Sequence, residues 1–224
     1  MHDPVSALNG QSFAGFANVR EIGPLGMITL RCDLAGKTLA GALKKLGLSV
    51  PAPRRIVQKD GRSVGWMSPD ELIVILPYAE VATTLETLRN AMAKIHFLAE
   101  DVSDARAVFR IEGHKAAQVL AKLCPVDLAT LAPGELRRTR AAQVAAAFWA
   151  EDGGYTLVSF RSVAGYVMGV LTLSATKGAE LHWPTPVCFW RIPFVCHLYA
   201  RQNWLLCVRV FGRFYADGVC KAEN

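Results

Sequence analysis

Apolar positions along this chain follow two rhythms, and the points where one gives way to the other divide it into elements. Residues 27–32 (MITLRC) read as a β-strand, and Leu39, Leu43 and Leu46 then recur every three to four residues, which predicts a helix with one apolar face. Gly47 follows as its stop. Residues 54–58 and 63–67 flank Asp60-Gly61, the sequence chemistry of a hairpin, because glycine tolerates the positive φ that such a turn needs. After a reversal at Ser68-Pro69-Asp70, residues 72–76 are apolar throughout, as expected of a strand buried on both faces, and Pro77 ends it. Val81, Leu85, Leu88 and Met92 make a second amphipathic helix, followed by a strand over residues 97–102.

The order strand, helix, strands, helix, strand begins again after Ser103-Asp104. Residues 106–111 read as a strand, Gly113 opens a helix that buries Ala116, Val119, Leu120 and Leu123, and residues 139–149 and 155–161 form a hairpin around Asp152-Gly153-Gly154. Residues 163–173 make the closing helix. The expected fold class is α+β: duplicated split β-α-β (ferredoxin-like) units with antiparallel sheets that pack through shared helices. A faint echo joins the halves, LRCDLAGKTLAGALKKL against FRIEGHKAAQVLAKL, with an arginine in each strand. Residues 1–22 lack periodic hydrophobicity and are predicted to be a flexible arm; residues 23–102 form the first β-α-β-β-α-β unit and residues 103–183 the second. From residue 184 the chain is crowded with aromatics, cysteines and arginines and keeps neither rhythm. That segment is expected to lie outside the core fold.

Composition narrows the function classes. With 224 residues, 52% hydrophobic and 20% charged, the chain is long enough for a substantial core, and its net charge of +6 is scattered rather than gathered in a stripe interleaved with aromatics. Nucleic acid is therefore not expected as a partner. No apolar run reaches the length of a membrane span, and the first residues lack a signal-like pattern, so no membrane is expected and the cytoplasm is the predicted location.

Candidate chemistry is sparse. Cys188, Cys196, His197, Cys207 and Cys220 are metal-type ligands, but their gaps are long and irregular, whereas structural zinc sites use close pairs two to four residues apart. Cys124 with His114 would form a nucleophile and base only if they met, and ten residues of helix hold them about 15 Å apart. Asp101, Ser103 and Asp104 read as turn-fixing residues, and Trp66, Phe148 and Trp149 as core aromatics. Arg137, Arg138 and Arg140 are suited to lining a carboxylate or an acidic partner surface. No glycine-rich phosphate loop is present, since Gly23 and Gly26 precede their strand instead of linking strand to helix.

The stretches WMSPDELIVILP, DVSDARAVFRIEG, LAKLCPVDL with PGELRRTRAAQVAAAFW, and FRSVAGYV together resemble the gamma-subunit family of heterotetrameric sarcosine oxidases, over roughly residues 25–173. That family is similar in turn to the folate-binding region of aminomethyltransferases, through Asp101-Val102-Ser103, Gly113, Ala117, Leu120, Leu123, Asp127, Leu131, Pro133 and Gly134. Where the aminomethyltransferases carry a glycine-containing turn and paired aspartates, this chain has Ala145-Ala146-Ala147-Phe148-Trp149, and their strand-end asparagine is replaced near Phe160-Arg161. The resemblance thus implies a subunit that keeps the fold without the chemistry, with no catalytic, cofactor-binding or metal residue to name. It implies FAD, FMN, NAD and tetrahydrofolate on other subunits, and alpha, beta and delta subunits as partners. The alternative it leaves is a free-standing, folate-binding aminomethyltransferase-like protein. Of three readings for the tail (a partner anchor, a cysteine metal site, or an extension never selected for the fold), the end of the resemblance near residue 173 favours the last.

Overall fold

Alternation along one strand explains the layering of the whole molecule. On the strand Glu71–Leu76, Leu72, Val74 and Leu76 point into one apolar cluster while Ile73 and Ile75 point into another. A run that is apolar on both faces needs a layer on each side, and the protein supplies helices on one and a second sheet on the other.

The computed structural model describes residues 4–181. In chain order the elements are β1 (Ser12–Ala14), β2 (Asn18–Glu21), β3 (Gly26–Arg31), α1 (Lys37–Lys45), β4 (Ile56–Lys59), β5 (Arg62–Ser68), β6 (Glu71–Leu76), α2 (Val81–Met92), β7 (Leu98–Asp101), β8 (Arg106–Glu112), α3 (Ala116–Leu123), β9 (Leu136–Ala141), β10 (Val144–Glu151), β11 (Gly154–Phe160) and α4 (Ala164–Ala175). They make two antiparallel sheets, one in the order β4-β5-β6-β3-β7 and the other β1-β2-β8-β11-β10-β9. Helices α1 and α2 cover the outer face of the first through Leu39, Leu43, Leu88 and Met92, and α3 and α4 cover the second through Val119, Leu120, Val167 and Leu171.

The sheets do not pack through shared helices, as the sequence had suggested, but directly on each other. Met27, Ile73 and Ile75 from one meet Val108, Ala147, Trp149 and Val158 from the other. The described residues form one compact unit in consequence.

The repeat is also closed differently. In the first sheet β7, which follows α2, pairs with β3; in the second sheet the equivalent place beside β8 is taken by β2, from the start of the chain. Two hydrogen bonds mark the equivalence, Val102 N to Met27 O at 2.8 Å and Ile22 N to Val108 O at 2.9 Å. Residues 1–22 are therefore not a flexible arm over their described part: Ala17, Val19 and Glu21 are buried, and Phe16 N donates to Ala175 O at the end of α4. Polar composition hid this because β2 is a short strand with only alternate positions inside. The same equivalence sets Met27 against Val108 and Thr29 against Arg110, so the arginines of the sequence echo, Arg31 and Arg110, stand two positions out of step.

Most other boundaries lie within a few residues of those expected. Asp60 and Gly61 turn with φ of 51° and 75° between β4 and β5. The predicted strand over residues 139–149 is instead two strands, β9 and β10, reversing at Ala142 with φ 51°, a conformation that alanine does not advertise. Residues 182–224, with the predicted tail and its Cys188, Cys196, His197, Cys207 and Cys220, lie outside the described residues.

Candidate functional site

Arg110 on β8 faces the opposite sheet, where burial of an unpaired guanidinium is costly, and its surroundings are built to answer it. Its side chain is 9% exposed. Nη1 donates to Glu151 Oε2 at 2.7 Å and to Thr156 Oγ1 at 3.2 Å, Nε donates to Glu112 Oε1 at 3.3 Å, and Nη2 donates to the Asp152 carbonyl. Glu151 at the end of β10 accepts from Trp149 Nε1 and Gln58 Nε2 on Oε1, both at 2.6 Å, and from Thr156 Oγ1 at 2.8 Å on Oε2. Burial works to raise the Glu151 carboxyl, but the hydrogen bonds from Trp149, Thr156 and Gln58 and the charge of Arg110 together hold it below its usual range. Two donors on each oxygen fill the acceptor capacity of a carboxylate, so this pair joins β4 to the second sheet and leaves no lone pair aimed at a ligand.

Beside this network the space between the sheets opens into a cleft of about 660 Å³, walled by Ile22, Leu25, Ile75 and Pro77 and floored by Trp149 and Glu151. The two-fold relation of the halves takes Leu25 to Arg106, Ile75 to Val158 and Pro77 to Phe160, and those three residues line a much smaller cleft of about 60 Å³. There the Arg106 guanidinium carbon lies 4.3 Å from the centroid of the Phe160 ring. Its Nε is buried and has no partner among the described residues. Arg138 Nη1 binds Glu71 Oε2 at 3.2 Å across the same cleft.

The residues singled out in the sequence are placed as follows. Asp101 Oδ1 accepts from Ser103 N at 2.9 Å and Ser103 Oγ at 2.5 Å, while Ser103 Oγ accepts from Met27 N at 2.9 Å, so this pair fixes the crossing from β7 to β8. Asp104 accepts from the Tyr78 hydroxyl at 3.2 Å. Cys124 is buried and desolvation pushes its thiol up to about 12, while His114 is exposed; they do not form a dyad. Phe148 and Trp149 are core residues and Trp66 packs half-buried on the α1–α2 side. The three arginines of β9 do not converge, because alternation sends Arg137 to Glu135 at 2.8 Å and Arg138 to Glu71, with Arg140 exposed. Among the described residues no group of three or more His, Cys, Asp or Glu is placed to hold a metal ion.

Sequence reasoning missed Glu21, Arg110 and Glu151, and the unpaired Arg106. Glu21 holds the position of Asp101 at the end of the equivalent edge strand, a correspondence visible only once β2 is placed beside β8, and its carboxylate organises the preceding loop by accepting from Ser6 Oγ at 2.8 Å, Leu8 N at 3.0 Å and Gly10 N at 3.0 Å.

Paired sheets with helices outside and the strand order repeated in each half define the aminomethyltransferase fold class: the glycine cleavage system aminomethyltransferase T of Bartonella henselae superposes with a TM-score of 0.59 at 10% identity, over 78% of this chain and 58% of its own. A chain of the heterotetrameric sarcosine oxidase from Corynebacterium sp. U-96, in complex with pyrrole 2-carboxylate, superposes with a TM-score of 0.68 at 23% identity, over 77% of this chain and 91% of its own. Residues 31–177 match the sarcosine oxidase, gamma subunit family, and the chain belongs to that family. Curated relatives are the sarcosine oxidase subunit gamma of Corynebacterium sp. strain U-96, 33% identical over 112 residues, 49% of this chain and 54% of the relative, and that of strain P-1, 31% identical over 119 residues, 52% and 58%. The chain spans about half the length of the curated relatives it matches.

Proposed function

We propose that this chain is the non-catalytic gamma subunit of a heterotetrameric sarcosine oxidase, a complex that oxidises sarcosine to glycine and passes the one-carbon unit to tetrahydrofolate. Its role is assembly with alpha, beta and delta subunits, which carry the FAD, FMN, NAD and tetrahydrofolate. The family match over residues 31–177 carries this reading. The interior chemistry supports it: the charged side chains of Arg110, Glu151, Asp101 and Glu21 are spent on holding strands and crossings together. Among the described residues no helix is long and apolar enough to cross a membrane, and Cys32 and Cys124 are free thiols, which suits a reducing compartment; we place the protein in the cytoplasm.

Co-expression with the other three subunits tests the proposal. The chain is expected to purify in one flavin-containing complex with them, and alone to carry no flavin and to bind no tetrahydrofolate at micromolar concentration. Micromolar folate binding by the isolated chain, or failure to enter the complex, would replace this reading with that of a free-standing aminomethyltransferase-like protein.

A further inference from the structure

Arg106 is half-buried against Phe160, and its buried side-chain Nε has no hydrogen-bond partner among the described residues. The charged residues lining its cleft are Arg106, Arg138 and Glu71, two cations against one carboxylate, and Arg138 holds that carboxylate. Glu71 attracts both guanidiniums but is bonded to Arg138, so the cleft keeps an excess of positive charge and a buried Arg106 Nε–H without an acceptor, which a further anion would satisfy. The cleft's size restricts what that anion is. At about 60 Å³ it holds a carboxylate head and little else, far below the roughly 300–1,000 Å³ of a cofactor or drug-sized site. Its outer wall is Phe160, 46% exposed and one of the few large apolar side chains on the surface among the described residues. A cation flanked by an exposed aromatic ring matches a polypeptide surface that offers an acidic side chain next to an apolar one.

We propose that the cleft formed by Arg106, Phe160 and Arg138 is a docking point for another subunit of the complex, receiving an Asp or Glu carboxylate on Arg106 while an adjoining apolar side chain covers Phe160. This rests on the assembly role given above. The equivalent cleft of the first half cannot serve the same end, because Leu25 and Pro77 stand where Arg106 and Phe160 stand here.

The full chain, co-expressed with the other three subunits, provides the test through Arg106→Met, Arg106→Lys and Phe160→Ala. Arg106→Met is expected to weaken association on the order of 10- to 100-fold, as loss of one member of a desolvated charge pair does, and Phe160→Ala to weaken it about 10-fold. Arg106→Lys should recover part of the affinity, and the weakening should be read against an unchanged or raised unfolding midpoint of the Arg106→Met chain. Phe160, being exposed, keeps the test open if Arg106→Met does not fold. Variants that associate like the wild-type chain would overturn the docking point while leaving the assembly role intact; a wild-type chain that does not associate would overturn both.

Discussion

At the scale of single residues, the chemistry of this protein is that of polar groups buried with their partners. Glu151 is the clearest case, because four donors converge on it from β4, β8, β10 and β11. Replacing it with alanine removes the 2.7 Å ion pair of the buried Arg110, leaving that side chain only Glu112, Thr156 and the Asp152 carbonyl, and leaves the Trp149 Nε1–H unpaired; it should lower stability by about 2–3 kcal/mol in a denaturant titration. The sign of its pH effect follows from the lowered carboxyl. A folded-state value below the unfolded one means that the unfolded chain binds more protons, so the contribution is fully present above about pH 4.5 and is lost as the pH falls through the lowered value. Thermal midpoints measured from pH 7 down to pH 3 should fall less steeply for Glu151→Gln than for the wild-type chain. Cys124 gives a converse expectation. With its thiol pushed up to about 12 by burial, it should resist iodoacetamide at pH 8 in the folded protein and be alkylated, as read by peptide mass spectrometry, only after unfolding.

At the scale of elements, the informative case is β2, because it shows what periodicity can and cannot reveal. Long two-faced runs such as Leu72 to Leu76 announced themselves, and so did helices whose leucines recur every turn. The segment ANVREIG carries only Val19 and Ile22 as large apolar residues, and a strand of four residues offers no rhythm to detect. The β9–β10 reversal was invisible for another reason: Ala142 adopts φ 51° without the glycine or asparagine that normally marks such a turn. At the site, Asp101 and Ser103 were legible because their turn chemistry is local in sequence, whereas Arg106 and Phe160 are brought together only by the β8–β11 register. Two predictions belong here. Deleting residues 1–22 exposes the β8 edge and empties the positions of Ala17 and Val19, and should abolish the cooperative thermal transition and leave an aggregating chain. Glu21→Ala, which leaves the strand but frees Ser6 Oγ, Leu8 N and Gly10 N, should cost about 1–3 kcal/mol in the same titration.

At the scale of the whole molecule, the swap of β2 into the second half bears on the tail. A plain tandem repeat would need a strand after α4 to pair with β8, as β7 after α2 pairs with β3; here β2 fills that place, and the chain after α4 has no vacant position inside the sheet to fill. The C-terminal end of the described chain is also tied down before residue 182, by Lys122 Nζ bonding Ser174 O at 2.7 Å and the Ala179 carbonyl, and by Leu181 N bonding Gln118 Oε1 at 2.9 Å. Among the described residues, the buried side chains of both apolar clusters and of the interface between the sheets come from residues 17–175, with Ala7, Leu8, Phe13 and Phe16 packed against one of them. The family match ends at residue 177, shortly before the composition changes. Removing residues 184–224 should therefore leave the thermal midpoint within about 2–4 °C of the full chain, the shift that roughly 1 kcal/mol produces in a domain of this size, and should leave entry into the sarcosine oxidase complex unchanged. A truncated chain that unfolds far earlier, or that no longer purifies with the other subunits, would make the tail part of the fold or of the interface.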